Sequence, residues 1–379
     1  MTHSSGPANT VPTVPLQGLA EQLKLPIHPR DTFTGWQPPQ PDGEPINLII
    51  AVSFGLFVPR RLLRGALYGG LNVHPSLLPD LRGPAPLQHA LLADLPSTGV
   101  SLQTLSDEAF DAGLVLAQTP RRPGIPIPAG CSVAELGRLL APVGADMLVR
   151  ALRAGLHVPP LSAAGWDPST PEERAHLRHA PKITAADRRV AWAASAPGGR
   201  SAADLAARAR LLGPLWGRAL RCDGSEKRVI LEGVEVAASE DWPEEMVRSL
   251  RAAGKARENG GGGGAEGDPA GETDLGVVTW VEEVPAGEGD AATTGTREVD
   301  IPYFPDGDAI IVPVAQGGGC VRIRSIKVEG ENSRPAAAAI EAFSKSCPRD
   351  GPWDLLWQAL PGPESLMLPI EMGLKKLLP

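Results

Sequence analysis

Three polar side chains between residues 69 and 111 are of types that take part in catalysis and have a spacing that could bring them together. Asn72 and His74 have the same parity in a short apolar run, so on a strand both side chains point to one face. Asp111 follows the next predicted strand, in a loop beyond its carboxyl end. Because sites in open α/β sheets collect outside the carboxyl ends of strands, we expect the three side chains to converge.

An amide, an imidazole and a carboxylate include no strong nucleophile, so they suit direct transfer of an acyl group without a covalent intermediate. The Asn72 amide and a protonated His74 would stabilise the developing oxyanion. Asp111 would orient the imidazole, favour its protonated form and help move protons through water. The same residues also fit a purely structural interpretation, with a satisfied strand-end histidine, a turn-forming asparagine and a loop-capping aspartate.

Short apolar runs separated by turns and helical patterns predict an α/β fold around these residues. Ile46–Val52 (INLIIAV) is rich in β-branched residues and predicts a parallel strand that is covered on both faces. The other predicted elements are helices at Pro59–Leu67, Pro86–Asp94 and Ser132–Ala154 and strands at Leu71–Val73, Gly99–Thr104 and Leu114–Gln118.

The order of these motifs resembles the folate-dependent formyltransferases. Asn72–Pro79 reads NVHPSLLP and is followed by Arg82-Gly83, which is similar to the central signature of that family. Thr98–Val100 resembles its T-G-V strand, and Asp107–Gly113 (DEAFDAG) resembles the loop that carries its catalytic aspartate. The matches run in the family's order over some forty residues.

The resemblance implies an open, mostly parallel formyltransferase sheet, 10-formyltetrahydrofolate as co-substrate and no metal. It implies that Asn72, His74 and Asp111 are catalytic. It also implies that the pterin is held by the backbone at Phe54, Gly55 and Leu56, and that a folate-contacting turn is formed by Ser76, Leu77, Leu78 and Pro79. By pattern alone, residues 54–56 are equally well a simple strand-to-helix turn.

Formyltransferases of this kind open with a strand, a Gly-containing turn, a helix and a second strand. This sequence begins at what resembles the helix after that β-α-β unit, so we expect it to be an amino-terminally incomplete version of the enzyme. Residues 1–14 lack Lys and Arg, so they are a poor transit peptide.

The second half of the sequence predicts a small β-barrel. Ala180–Thr184 (APKIT) resembles the start of the carboxyl-terminal domain in the family branch that acts on methionyl-tRNA, where that domain is OB-like. We therefore predict an incomplete catalytic domain at 1–155, a linker at 156–180 and a tRNA-binding barrel at 181–350. The barrel would contain a disordered acidic and Gly-rich insertion at 258–276 and be followed by a tail of unknown role at 351–379.

The net charge of −8 is unusual for an RNA-binding enzyme, but the charges are segregated. Residues 174–228 hold twelve Lys/Arg against four Asp/Glu, whereas residues 258–300 hold eleven Asp/Glu against Arg297 alone. A basic face beside a detached acidic loop is what a tRNA-binding barrel would show. The candidate tRNA contacts are Arg188, Arg189, Arg208 and Arg210.

The expected function is transfer of a formyl group from 10-formyltetrahydrofolate to methionyl initiator tRNA, by a monomer in the mitochondrial matrix. The location follows from the resemblance, since bacterial-style initiation in eukaryotes occurs in organelles. Two alternatives stay open, namely a formyltransferase acting on a small-molecule amine and an inactive tRNA- or folate-binding paralogue. Widely spaced cysteines predict reduced thiols, and no apolar run predicts a membrane span.

Overall fold

The computed structural model describes residues 15–29, 31–192, 201–243, 276–284, 295–314 and 319–346. The chain forms two compact units, one from residues 1–74, 100–119 and 143–167 and the other from residues 75–99, 120–142 and 168–379. The predicted domain limits at residues 155 and 180 stay a prediction. The predicted tail at 351–379 and the predicted insertion up to residue 275 lie outside the described residues.

Seven α-helices and fourteen strands are defined among the described residues. The helices are α1 (Pro15–Gln22), α2 (Arg60–Gly65), α3 (Pro86–Leu92), α4 (Val133–Arg153), α5 (Pro171–Ala175), α6 (Ala202–Leu212) and α7 (Ala336–Ile340). The strands are β1 (Ile49–Val52), β2 (Gly70–His74), β3 (Ser97–Thr98), β4 (Ser101–Thr104), β5 (Val115–Gln118), β6 (Ile125–Pro126), β7 (Leu215–Leu220), β8 (Glu226–Ala237), β9 (Gly276–Val284), β10 (Gly295–Asp306), β11 (Ala309–Pro313), β12 (Cys320–Val328), β13 (Ser333–Pro335) and β14 (Ser344–Ser346).

The first unit is built on a four-stranded sheet in the order β1-β2-β4-β5. β1 and β2 are parallel, whereas β4 runs antiparallel to both β2 and β5, so the described sheet is mixed. The predicted fold class, a formyltransferase-type α/β sheet followed by a small barrel, is confirmed. The strand directions differ from the expected mostly parallel arrangement because β4 reverses the chain.

One face of this sheet is apolar and packs on the carboxyl-terminal half of α4. Leu71 and Leu102 are almost completely buried there against side chains of that helix, which are Met147, Leu148, Ala151 and Leu152. Gly144 allows the close approach, because a Cβ at this position would lie 2.7 Å from Cγ1 of Val73. With one face filled by this packing, the polar side chains of the same strands are left on the opposite face.

β1 is an edge strand of the described sheet, and its predicted burial on both faces is wrong. Ile50 is 44% exposed and Val52 is 55% exposed, whereas Ala51 between them is buried. The apolar sequence predicted the strand correctly, but burial depends on a second layer that does not cover these side chains in the described part of the chain.

The long helix α4 begins at a capping box. The Ser132 hydroxyl accepts a hydrogen bond from the Glu135 backbone N–H at 3.2 Å, and the Glu135 carboxylate accepts from the Ser132 hydroxyl and backbone N–H at 2.7 and 2.8 Å. These bonds, led by the one from the hydroxyl, lower the pKa of Glu135 below its ordinary value. The reciprocal bonds fix the start of the helix at Ser132, the residue at which the sequence predicted it to begin.

In the second unit, residues 178–180 run alongside the turn that follows Pro79. The backbone N–H of Leu81 donates to the Arg178 carbonyl at 2.8 Å, and that of Ala180 donates to the Arg82 carbonyl at 2.7 Å. Gly83 has φ +125°, and a Cβ there would lie 2.3 Å from the Ala180 carbonyl oxygen. The end of the predicted linker is therefore held by main-chain pairing in this unit.

The barrel of the second unit closes through six antiparallel strands. The order is β10-β11-β12-β8-β7-β9, and β9 pairs back onto β10. Its core contains the fully buried Val229, Ile323 and Phe343, and Trp192 packs on Trp280 with ring centroids 5.2 Å apart. α6 covers part of this core with Ala202 and Leu205. This is the small OB-like barrel that the sequence predicted.

The acidic stretch beginning at residue 258 is not wholly a detached loop, which corrects the prediction. Residues 276–284 and 295–300 belong to β9 and β10, in the barrel wall. Glu282 is only 4% exposed, and its carboxylate accepts from the Trp192 backbone N–H at 2.5 Å and from Arg297 at 3.2 Å. Part of the acidic charge is therefore neutralised inside the fold rather than projected from it.

Cysteine reactivity provides a test of the barrel core. Burial raises the pKa of the Cys320 thiol from 9.0 to about 12, whereas Cys222 is exposed. Because the thiolate is the nucleophile, we expect iodoacetamide at pH 8.5 to label Cys222 in the native protein and to spare Cys320 until the chain is unfolded. Peptide mass spectrometry would measure both sites, and equal labelling rates in the native state would contradict this packing.

The raised pKa of Cys320 also predicts how its burial contributes to stability. Its neutral thiol is favoured by the folded state, so this contribution is complete below pH 9 and is lost as the pH rises towards 12.

Among the described residues, no helix combines the length and apolar character needed to cross a membrane.

Candidate active site

The structure brings Asn72, His74 and Asp111 together within the first unit. The Asn72 side-chain amide donates to Oδ1 of Asp111 at 3.0 Å, and Nδ1 of His74 lies 3.3 Å from the same oxygen. The side chains of His74 and Asp111 are only 6% and 9% exposed. In such a poorly solvated place, attraction between the carboxylate and a protonated imidazole is stronger than it would be in water.

A fourth side chain, Gln103, also forms a hydrogen bond with the aspartate. Its Nε2 donates to Oδ1 of Asp111 at 2.9 Å, and its Oε1 accepts the backbone N–H of Gly113 at 3.2 Å. Gln103 was not among the site residues predicted from the sequence. The available signal was a long polar side chain inside a strand whose neighbours Leu102 and Val100 are apolar.

The three side chains meet for a different reason from the one predicted. β4 is antiparallel to β2, with Leu71 opposite Thr104 and His74 opposite Ser101, so the two carboxyl ends lie at opposite ends of the pair. The loop of residues 105–114 leaves β4 and brings Asp111 back over the polar face of the sheet. The site therefore lies on a sheet face beside β2.

Local conformation and anchoring give this loop its shape. Asp111 has φ +51°, a left-handed conformation that aspartate tolerates better than most residues. Arg60 forms an ion pair with Asp107 at 2.6 Å, and the ring of Phe110 packs edge-on against Phe57 at 5.2 Å. Gly113 is required sterically, since a Cβ there would lie 1.7 Å from the Thr104 carbonyl oxygen.

The predicted pterin-holding residues follow β1 in the same unit. Phe54 and Gly55 are exposed and Leu56 is half-buried. The Phe54 ring packs at 5.8 Å from that of Phe33, and Arg61 donates at 2.7 Å to the carbonyl of Trp36. A cavity of about 450 Å³ opens here, lined by Leu56 together with Asp31, Thr32, Phe33, Thr34, Gly35, Phe57, Pro59 and Arg61.

The predicted folate-contacting turn, Ser76–Pro79, belongs to the second unit. Ser76 and Leu78 are buried, whereas Leu77 and Pro79 are half-buried. The Ser76 hydroxyl donates to the Asp80 carbonyl at 2.7 Å, and the Asp80 carboxylate accepts the Arg178 backbone N–H at 2.8 Å. The turn is thus fixed from within its own unit.

Three of the four arginines predicted to contact tRNA have partners inside the second unit. Arg189 pairs with Glu283, Arg208 pairs with Asp204 at 3.0 Å, and Arg210 donates to the carbonyls of Gly130 and Cys131 at 3.1 and 2.8 Å. Arg188 ends a short 3-10 helix at residues 186–188 and is half-buried. Contact with tRNA stays a prediction for all four.

The described residues contain no cluster of three or more His, Cys, Asp or Glu side chains that could hold a metal ion. The chemistry available at the trio is that of hydrogen-bond donors and one carboxylate on a polar sheet face. Such a set can stabilise a developing oxyanion and transfer a proton to or from a substrate.

Comparison with known protein families identifies the class of this domain. The family model described as formyl transferase matches residues 42–152, which contain β1 to β6, most of α4 and the whole trio. This stretch is therefore a formyl transferase domain.

Proteins of similar sequence identify the branch of formyl transferases more closely. Mitochondrial methionyl-tRNA formyltransferase of Saccharomyces cerevisiae is 36% identical over 196 residues, covering 46% of this chain and 44% of that protein. The mouse mitochondrial enzyme is 33% identical over 188 residues, covering 48% and 44%. Methionyl-tRNA formyltransferase of Halorhodospira halophila is 31% identical over 240 residues, covering 63% of this chain and 70% of that protein. The chain belongs to the methionyl-tRNA formyltransferase family, and it spans less than half the length of the yeast and mouse relatives.

Proposed function

We propose that this protein transfers a formyl group from 10-formyltetrahydrofolate to the amino group of methionine on initiator tRNA. The observation that carries the proposal is the convergence of Asn72 and His74 on one carboxylate oxygen of Asp111. The names of the yeast, mouse and bacterial relatives support the substrate, because all three are called methionyl-tRNA formyltransferases.

In the proposed reaction the methionine amine attacks the formyl carbon. A new N–C bond forms and the carbonyl becomes a tetrahedral oxyanion, which the Asn72 amide and the protonated His74 stabilise. Collapse of this oxyanion breaks the bond to N10 of the folate. The amine loses one proton and N10 gains one, so the exchange needs proton transfer but no oxidant, reductant or metal.

Asp111 sets the state of His74 in this scheme. Its Oδ1 lies beside Nδ1 of His74, so Nε2, on the far side of the ring, is the nitrogen that acts on the substrate. A carboxylate at this distance from Nδ1 holds the plane of the ring and directs Nε2 away from Asp111.

For the co-substrate we propose that residues 54–56 and 76–79 contact the folate. The cavity of about 450 Å³ that Leu56 lines supports this role for the first segment, since a flat ring system needs a pocket of several hundred Å³. Buried Ser76 and Leu78 support a fixed turn for the second segment.

For the tRNA we propose the barrel unit as the binding element. Exposed Arg228 lies over the Trp216 ring at 4.3 Å, and the stretch from residue 174 to residue 228 has a net charge of +8. If phosphate contacts dominate, tRNA affinity will fall steeply with salt, by a slope of about one per phosphate neutralised.

We further propose that the protein acts as a monomer in mitochondria. The yeast and mouse relatives, both named as mitochondrial, support the location, while bacterial relatives match at similar identity. Subcellular fractionation and light scattering would test the two statements.

The deciding experiment is formyl transfer by the purified 379-residue chain. The chain would be incubated with 10-formyltetrahydrofolate and methionyl initiator tRNA, and formylmethionine would be measured after release from the tRNA. We expect time-dependent product. If the folded chain binds tRNA or folate without turnover, the proposal is wrong for this chain, which would then be a binding protein. Turnover only with a small-molecule amine would assign it the other alternative.

A further inference from the structure

We propose that Gln103 is a positioning residue that fixes Asp111 of the active site. Its amide holds the side chain of the aspartate and the backbone two residues further on at the same time. The inference rests on the proposed function for its catalytic consequence, but the contact itself can be tested without activity.

Burial and strand register place Gln103 beside Asn72 and Asp111. It is 1% exposed, and its Cα is paired with that of Asn72 across β4 and β2. Cross-strand partners project to the same face, so Gln103 and Asn72 reach Asp111 from neighbouring strands. An irregularity in the β4–β5 register falls between Leu102 and Gln103, and such bulges re-aim a side chain.

The hydrogen-bonding chemistry explains why an amide is suited to this position. A carboxylate only accepts hydrogen bonds, so Asp111 needs donors, whereas the Gly113 backbone N–H needs an acceptor. Glutamine supplies one of each from a single buried group. Glutamate would keep the acceptor for Gly113 but would face Asp111 with a second carboxylate, and methionine would supply neither bond.

The loop needs such a clamp because its conformation is strained. Asp111 is held at φ +51° and Gly113 lies against the Thr104 carbonyl, so the loop is confined within three residues. Gln103 binds at both ends of this short segment. Without it, Oδ1 of Asp111 would lose one of its described donors, and the aspartate could rotate away from His74.

The structure supplies a matched control in Gln118 on the adjacent strand β5. Its Nε2 donates to the Ser101 hydroxyl at 2.8 Å and its Oε1 accepts the Trp166 backbone N–H at 2.9 Å, so it uses its amide in the same way. The two glutamines differ in the group that accepts the hydrogen bond from Nε2. The Ser101 hydroxyl can rotate to donate to a carboxylate, whereas ionised Asp111 cannot donate at all.

The experiment compares Gln103→Glu with Gln118→Glu in the full chain. The groups that face Oδ1 of Asp111 include His74 and Asn72 from β2 and Gln103 from β4, and of the loop's two other acids, Asp107 is paired with Arg60 and Glu108 is exposed. Two carboxylates in contact share a proton, so the pKa of the pair formed by the introduced carboxyl group and Asp111 would rise in the folded state.

The first readout is melting temperature against pH and does not need activity. A raised folded-state pKa contributes stability below the unfolded value that is lost as the pH rises through the folded one. We therefore expect Gln103→Glu to melt near wild type at pH 5 and about 4 °C or more below it at pH 8. For Gln118→Glu the difference in melting temperature from wild type should stay nearly the same at pH 5 and pH 8.

The second readout is the pH profile of kcat/KM for formyl transfer. In Gln103→Glu we expect the acid limb to move up by about one pH unit or more, since Asp111 must lose the shared proton. We expect no movement in Gln118→Glu. If Gln103→Glu does not fold, Gln103→Met replaces it, and kcat should fall about 10-fold or more with KM for folate little changed.

The outcomes separate the two proposals. A pH-dependent stability gap in a chain without formyl transfer would support the clamp and overturn the proposed function. An active chain in which both glutamine variants show parallel stability curves and unshifted pH profiles, or in which Gln103→Met keeps full kcat, would overturn the clamp.

Discussion

Replacing His74 by alanine is expected to lower kcat for formyl transfer by about 1,000-fold. The substitution removes one of the two oxyanion donors and the proton carrier, each of which contributes about 10²- to 10³-fold or more in comparable sites. KM for the folate should change little, because the interaction develops in the transition state. Single-turnover assays with methionyl initiator tRNA would measure the chemical step directly.

The matched control for this variant is His157→Ala. His157 lies in the same compact unit, where its ring packs edge-on against Tyr68 at 5.2 Å, and it makes no described contact with the trio. We expect it to lose some stability and to keep kcat. Equal losses of kcat in the two variants would show that His74 acts through folding alone.

The second large effect is expected from Gly113→Ala. The new Cβ would lie 1.7 Å from the Thr104 carbonyl oxygen, so the loop must move away from β4. That movement breaks the bond from the Gly113 N–H to Gln103 and displaces Asp111. We expect a loss of unfolding free energy of about 1–3 kcal/mol or more and a fall in kcat of about 100-fold. Urea titration and the transfer assay would measure the two effects.

Gly65→Ala serves as its control, since a Cβ at this helical position meets nothing within 4 Å. Alanine there should change stability by less than about 1 kcal/mol, and in the favourable direction. A Gly113→Ala protein as active as this control would show that the loop shifts without consequence for the aspartate.

The sequence predicted the parts of the site that depend on short-range pattern. The shared parity of Asn72 and His74 follows from the period of a strand, and the Ser132 cap follows from residue types at fixed spacing. The convergence of Asp111 was also predicted, but from the wrong geometry. Strand direction is set by long-range pairing, and nothing local in residues 101–104 indicates that β4 runs antiparallel to β2.

Gln103 shows a second limit of prediction from the sequence. The sequence shows a polar residue in an apolar strand, but its role depends on which residue lies opposite it and where a loop of about ten residues returns. Both are properties of the assembled sheet. The prediction that β1 is buried on both faces was wrong for the same reason, because an apolar strand does not reveal which of its faces will be covered.

In the barrel, β10 begins within the acidic stretch that the sequence predicted to be a detached loop. Pro302 and Pro305 lie within it, and proline argues against a strand when only local sequence is considered. The acidic residues of β9 and β10 added to the impression of a solvated loop. The burial of Glu282 among them depends on Arg297 and on the backbone of Trp192, which is distant in sequence.

The pairing of β9 with β10 has a practical consequence for protein engineering. These strands are in register from Val284 opposite Gly295 to Gly276 opposite Tyr303, so residues 285–294 join two ends that the ladder already holds together. Lengthening such a connection costs only about 0.6 kcal/mol per doubling of its length. An affinity tag or a fluorescent label could therefore be inserted between residues 285 and 294 with little loss of stability in the barrel.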